Sequence, residues 1–392
     1  MGTESPEAHA APKGGAAGRL THIEGLRAMA AYLVYINHIY AQVWLPPKPP
    51  PSYLSLFSYS LIAGHLSVTV FIVISGFCLM LPVARAGNVL RGGTVGFFKR
   101  RARRILPPYY AAVAVCLALI WTVMGKPTGT LWDVPIGVNS VGIIAHLLLV
   151  QDIWGTSKIN YVFWSIAVEW QIYFLFPLLV RSWRRFGAAT TAAGALFVGY
   201  ALRFGLAGTR VERAAPQYLG LFALGMVAAH FIQSTDPRVI RTRDRIPWLV
   251  ISAASLAVVC GLSAAWGVER GIERFPILDF PVAVATMGAL VVTSRPGDSW
   301  LRRLFAWRPF VFIGTFSYSV YLMHAPLIQI LWQFVFHPLH VGPEAMFFLY
   351  LGPGALAVLA ASYAFFRAFE FPFMRAPAAA VVERSTVPAT AA

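Results

Sequence analysis

Arg27 and His38 stand eleven residues apart in the apolar stretch IEGLRAMAAYLVYINHIY. On a helix, eleven steps of about 100° bring two side chains to within about 20° of one another, with a rise of about 16 Å between them. That rise is about half the thickness of a bilayer's hydrocarbon core. An arginine at the mouth of a membrane helix can snorkel to the interface. A histidine in mid-membrane on the same face is costly, and such groups usually line a cavity or do chemistry. An imidazole can act as a general base or as a nucleophile. The plainer alternative is a hydrogen-bonded histidine that packs two helices together.

Three further runs hold reactive side chains. FFKRRARRILP, from Phe97 to Pro107, places Arg101 and Arg104 three apart on one helix face, where they could fork onto phosphates. The same arginines could instead fix orientation or touch anionic lipid. WSIAVEWQIYFLFP, from Trp164 to Pro177, sets Glu169 among aromatics, and GTFSYSVYLMHAP, from Gly314 to Pro326, ends on His324. Cys78, Cys116 and Cys260 are odd in number and lie within apolar stretches, which argues against a disulfide scaffold. No metal site is expected.

The elements that must position these residues are membrane helices. Of 392 residues 58% are hydrophobic and 12% charged, against about 25% charged in a soluble domain. Ten stretches are long enough to cross: 26–45, 61–83, 105–124, 162–180, 186–203, 216–233, 246–266, 275–294, 310–336 and 345–366. A shorter apolar piece around Ile143–Val150 reads as interfacial or re-entrant. Although the net charge is +16, the basic residues sit between apolar spans, so nucleic acid is not an expected partner. Alternate loops and the two ends hold 24 of the 32 Lys and Arg. By the positive-inside rule both termini are therefore cytoplasmic. The fold class expected is an all-α polytopic protein of the plasma membrane with about ten transmembrane helices. Residues 21–375 form its membrane domain, and 1–20 and 376–392 are disordered cytoplasmic tails. On this topology His38, Glu169 and His324 share one depth in the outer half. Glu169 is then the only carboxylate well inside a span, and pairing with His38 would relieve its cost.

Arg27-x10-His38, F-x-x-R-R-x-x-R-I-x-P, the Trp164–Glu169 element, the Ser317–His324 element and EFPFMR from Glu370 occur in one order over residues 22–375. Together they resemble the acyltransferase-3 family of integral membrane O-acyltransferases, which includes bacterial O-antigen and Nod-factor acetylating enzymes. The resemblance implies that Arg27 and His38 are the functional pair and that Arg101 and Arg104 help hold an acyl-CoA donor, acetyl-CoA by preference, from the cytoplasm. It implies that Trp164, Ser165 and Glu169, with Ser317, Tyr318, Tyr321 and His324, belong to the site. Where the family often reads Glu-Glu or Glu-Phe, this chain has Glu169-Trp170. It is also expected to lack the C-terminal SGNH domain of many members, so that acceptor handling would be absent or supplied by a partner protein.

His38 could deprotonate an acceptor hydroxyl for direct attack on the thioester, or could itself carry the acyl group. Glu169 could orient His38 or only join two helices. Arg27 could bind donor phosphate, brace the pocket or anchor topology. For Ser317, Tyr318 and Tyr321 helix packing competes with chemistry. The expected acceptor is a sugar hydroxyl of an envelope glycan or glycolipid, with a glycosylated small molecule of the macrolide type as the alternative. A secondary transporter is the rival of a different class, although no internal repeat supports it.

Overall fold

A computed structural model describes residues 20–44 and 50–374. The expected tails, apart from Leu20, lie outside these residues. Among the described residues every regular element is helical. The ten expected stretches correspond to α1 (Thr21–Val43), α2 (Ser60–Arg85), α3 (Gly93–Thr122), α4 (Trp164–Phe186) and α5 (Ala188–Gly205), then α6 (Tyr218–Gln233), α7 (Trp248–Glu273), α8 (Phe275–Ser294), α9 (Ser317–Leu331) and α10 (Ala355–Phe365). Eight helical stretches among the described residues are long and apolar enough to cross a membrane. The helices outside that set are α1, which carries Glu24, Arg27, Asn37 and His38, and α5, which has 18 residues and ends near Arg203.

Glycines set how closely these helices approach. Gly76 on α2 abuts the Phe222 carbonyl of α6, and Gly225 on α6 abuts the Val73 carbonyl of α2. A Cβ at either place would collide with backbone, so the two helices touch along a small-residue seam. Gly314 likewise abuts the Glu24 carbonyl, which fixes the first turns of α1 against the short helix Arg308–Gly314. Asn37 on α1 donates to the carbonyls of Ser60 and Leu61, holding α1 to the start of α2.

The stretch 310–336, expected as one helix, is broken at Thr315 and Phe316. There Ser317 Oγ donates to the Gly314 carbonyl at 3.0 Å and α9 starts afresh. The last crossing is interrupted by π-type turns at Tyr350–Gly354 and Phe366–Glu370. Such wide turns re-aim side chains and are often found at functional sites. The interfacial segment is a short helix, Ser140–Leu147, with Val141, Ile144 and Leu147 exposed along one side and His146 buried.

One expectation about buried charge is overturned. Glu169 is not the only carboxylate within a span, because Asp279 on α8 is fully buried. It accepts from Thr69 Oγ1 at 2.5 Å and Gln217 Nε2 at 3.3 Å, which relieves a desolvation cost like the one argued for Glu169.

Candidate active site

A cavity of about 700 Å³ opens between α1, α2, α3, α4, α9 and the turn after α10. Its lining includes Arg27, Arg101, Arg104, Ser165, Glu169, Ser317, Tyr318 and Tyr321, all singled out from sequence. It also includes Glu24, Ser75, Cys78, Tyr173 and Glu370, which were not. Three arginines thus face three glutamates in one chamber.

The carboxylates are largely spoken for. Tyr173 OH donates to Glu169 Oε1 at 2.5 Å, and Ser75 Oγ lies 3.0 Å from the same hydroxyl. Glu370, turned inward by the last π-type turn, accepts from Ser319 Oγ at 2.5 Å. Arg27 makes only loose contacts, 3.5 Å to Glu24 Oε2 and 3.7 Å to Cys78 Sγ. Arg101 and Arg104 make no ion pair within 4 Å among the described residues. Guanidinium groups held in a partly apolar chamber without a carboxylate of their own are suited to an entering anion.

The far end of the chamber is walled by a short hydrogen-bonded chain. Tyr321 OH gives its proton to the Val162 carbonyl at 2.9 Å, so Ser165 Oγ, 2.6 Å away, donates to the tyrosine oxygen. Tyr318 OH donates to the Ile105 carbonyl at 3.2 Å and ties α9 to α3. Phe71 packs edge-on against the Tyr321 ring.

Behind this wall stand the two histidines. His324 is three residues beyond Tyr321 on α9, with the ring centroids 5.7 Å apart. His38 meets His324 at 5.1 Å between centroids and Tyr161 at 5.0 Å. Neither histidine lines the chamber. The Nδ1 of His324 lies 2.8 Å from the Tyr321 carbonyl and 3.1 Å from that of Val320. A carbonyl only accepts, so Nδ1 carries the proton and Nε2 presents a lone pair. That Nε2 is buried without a partner among the described residues, and so is Nδ1 of His38.

The arrangement differs from the sequence-based expectation in two respects. Glu169 does not pair with His38 and does not share its depth. Glu169 sits on the arginine side with Tyr173, while His38 lies at the level of Tyr161, eight residues or about 12 Å earlier along the α4 segment. Trp164 also leaves the chamber. Its ring stacks on His65, with centroids 5.6 Å apart, and lies 6.3 Å from Tyr218. Of the residues sequence reading missed, Tyr173 could have been found four places after Glu169, one helical turn away. Glu370 lay in a quoted motif without a role, and Glu24 is three residues before Arg27. No group of three or more His, Cys, Asp or Glu side chains able to hold a metal occurs among the described residues.

Residues 20–367 match the family described as an acyltransferase domain, acyltransferase-3. The chain belongs to this family. Among similar curated proteins, O-acetyltransferase OatA of Staphylococcus aureus (strain NCTC 8325 / PS 47) is 25% identical over 349 residues, covering 79% of this chain and 50% of the relative. The putative O-acetyltransferase SACOL0978 of S. aureus (strain COL) is 24% identical over 387 residues, covering 90% of this chain and 57% of the relative. The chain spans about half the length of the curated relatives it matches. No solved structure matches it. Family membership gives the transporter alternative no support.

Proposed function

We propose that this chain is a multi-pass plasma-membrane O-acyltransferase, with ten crossing helices and both termini on the cytoplasmic face. It moves an acetyl or other short acyl group from acyl-CoA to a sugar hydroxyl of an envelope glycan or glycolipid. One observation carries the reading: Arg101 and Arg104, without carboxylate partners, face a chamber whose far wall, Tyr321, is in ring contact with His324 and through it with His38. The arginines belong to the basic-rich side of the helices, which the charge asymmetry assigns to the cytoplasm.

Acyl transfer needs a held donor, a base and stabilisation of the oxyanion. Arg101 and Arg104 receive the donor's phosphates, with Arg27 bracing the chamber deeper in. His38 takes the acceptor proton and returns it to the departing CoA thiolate, or carries the acyl group, with CoA already released as the thiol, before the acceptor arrives. Trapping of acyl-enzyme without acceptor separates these routes. Glu169 acts through Tyr173 and the arginines rather than on His38. Tyr321 must part from Ser165, or its ring must shift, for a thioester to meet the imidazole.

Purified protein given labelled acetyl-CoA and a panel of glycosides tests the reading, together with mass spectrometry of envelope glycans from a deletion strain. Transfer of label to a glycoside, and loss of O-acyl groups in the deletion strain, are expected. Labelled donor left intact with every acceptor, and an unchanged envelope, would contradict it.

A further inference from the structure

Three buried ring nitrogens near Tyr161 have no hydrogen-bond partner among the described residues: His38 Nδ1, His324 Nε2 and the indole Nε1 of Trp132. Trp132 and His324 are each 1% exposed. The Tyr161 ring lies 5.0 Å from that of His38 and 6.4 Å from that of Trp132, and the two imidazole rings are 5.1 Å apart, so the three nitrogen-bearing rings cluster in one small region. A buried polar atom left unpaired is destabilising, and three together in a native fold call for an explanation.

Trp132 comes from the loop between α3 and α4, and that loop is pinned over the histidines. Gln329, five residues beyond His324, accepts from Gln42 Nε2 at 2.7 Å and from Thr130 Oγ1 at 2.9 Å. Its amide donates to Thr128 Oγ1 at 3.1 Å. Asp133 accepts from the Thr128 and Gly129 backbone N–H groups at 2.7 and 2.8 Å, which stiffens the turn that carries Trp132. Gln42 is likewise one turn beyond His38 on α1. The loop therefore covers the histidines on the side away from the arginine chamber.

The chemical pattern of the three atoms is specific. The indole N–H only donates, His324 Nε2 only accepts in the tautomer set by its backbone bonds, and His38 Nδ1 can do either. We infer that Trp132, His324 and His38 form a binding site for the acceptor's hydroxyl, with Trp132 donating to the hydroxyl oxygen and an imidazole nitrogen receiving its proton. A hydroxyl is a donor and an acceptor on one atom, which an ether or a hydrocarbon is not. This assignment rests on the proposed function for the identity of the alcohol, but the recognition itself can be read without turnover.

The test uses full-length protein labelled with 5-fluorotryptophan, with the Trp132 resonance identified by its loss in Trp132→Phe. Methyl glucoside should shift that 19F resonance, and permethylated glucoside, which has no hydroxyl, should not. No shift with either sugar, or equal shifts with both, overturns the site. A second variant replaces Trp132 by its benzothienyl isostere, which keeps the shape and removes the N–H. It should lower kcat/KM for the acceptor about tenfold, as loss of one neutral hydrogen bond implies, and leave KM for the donor unchanged. Equal kcat/KM for the isostere and native protein overturns the assignment. Failure of native protein to transfer acyl groups at all would count against the proposed function, while the 19F comparison would still decide whether the cluster binds a hydroxyl.

Discussion

Tyr321 and His324 are one helical turn apart with ring centroids 5.7 Å from each other, yet only Tyr321 lines the arginine chamber. The arginine chamber and the histidine pair thus lie on either side of one aromatic ring. The ring is held by Ser165 on one side and the Val162 carbonyl on the other.

Tyr321→Phe should keep the wall and lose both hydrogen bonds, leaving Ser165 and the Val162 carbonyl unsatisfied. The expected cost is about 1–3 kcal/mol, seen as a lower thermal midpoint in detergent. Binding of donor to the chamber mouth should change little.

Cys78 lines the chamber 3.7 Å from Arg27, whereas Cys116 is buried. In a variant that keeps only Cys78, a membrane-impermeant maleimide should react in inside-out vesicles and not in right-side-out ones, and acyl-CoA should slow the reaction. Labelling from the outside only would reverse the proposed sidedness.

Gly76→Ala forces a Cβ into the Phe222 carbonyl, while Gly261 on α7 has open space around it. Gly76→Ala should destabilise the protein by about 3 kcal/mol, and Gly261→Ala should be close to neutral. Thermal unfolding of the two variants side by side checks the seam.

Asp152, in the loop before α4, is buried and its carboxyl is pushed up to about 6 by desolvation, against the hydrogen bonds from Gln171 Nε2 at 2.9 and 3.0 Å. A carboxyl that holds its proton more tightly when folded favours docking of this loop in acid. The contribution fades as pH rises from the ordinary aspartate range towards 6. Hydrogen exchange over residues 140–156, corrected for intrinsic rate, should show at least about threefold more protection at pH 4.5 than at pH 7. In Asp152→Asn the difference should vanish.

Much of this organisation was legible in the sequence. Eight of the eleven singled-out residues line one chamber: helical spacing put Arg101 and Arg104 on one face, whereas the family resemblance brought in Ser165 and the Ser317–Tyr321 run. The pairing of His38 with Glu169 failed because depth was counted from segment ends. The offset of about 12 Å is a little over two helical turns, enough to exchange a histidine for a tyrosine as partner. Trp132 was invisible for another reason. A tryptophan in a loop between spans looks like an interfacial anchor until hydrogen bonds from Gln329 to Thr128 and from Thr130 to Gln329 fold that loop onto the histidines. Asp279 did carry a signal, an acid in FPILDF, that was passed over in favour of Glu169.

The proposed reaction divides labour between the chamber arginines, which hold the donor, and the histidine behind the wall. Acetyl-CoA binding by calorimetry and acyl transfer should be measured in parallel on His38→Ala and on Arg101→Ala/Arg104→Ala. His38→Ala should bind donor with native affinity and transfer nothing, while the double arginine variant should bind at least about tenfold more weakly. Native donor affinity without the arginines, or transfer that survives without the imidazole, would contradict the account.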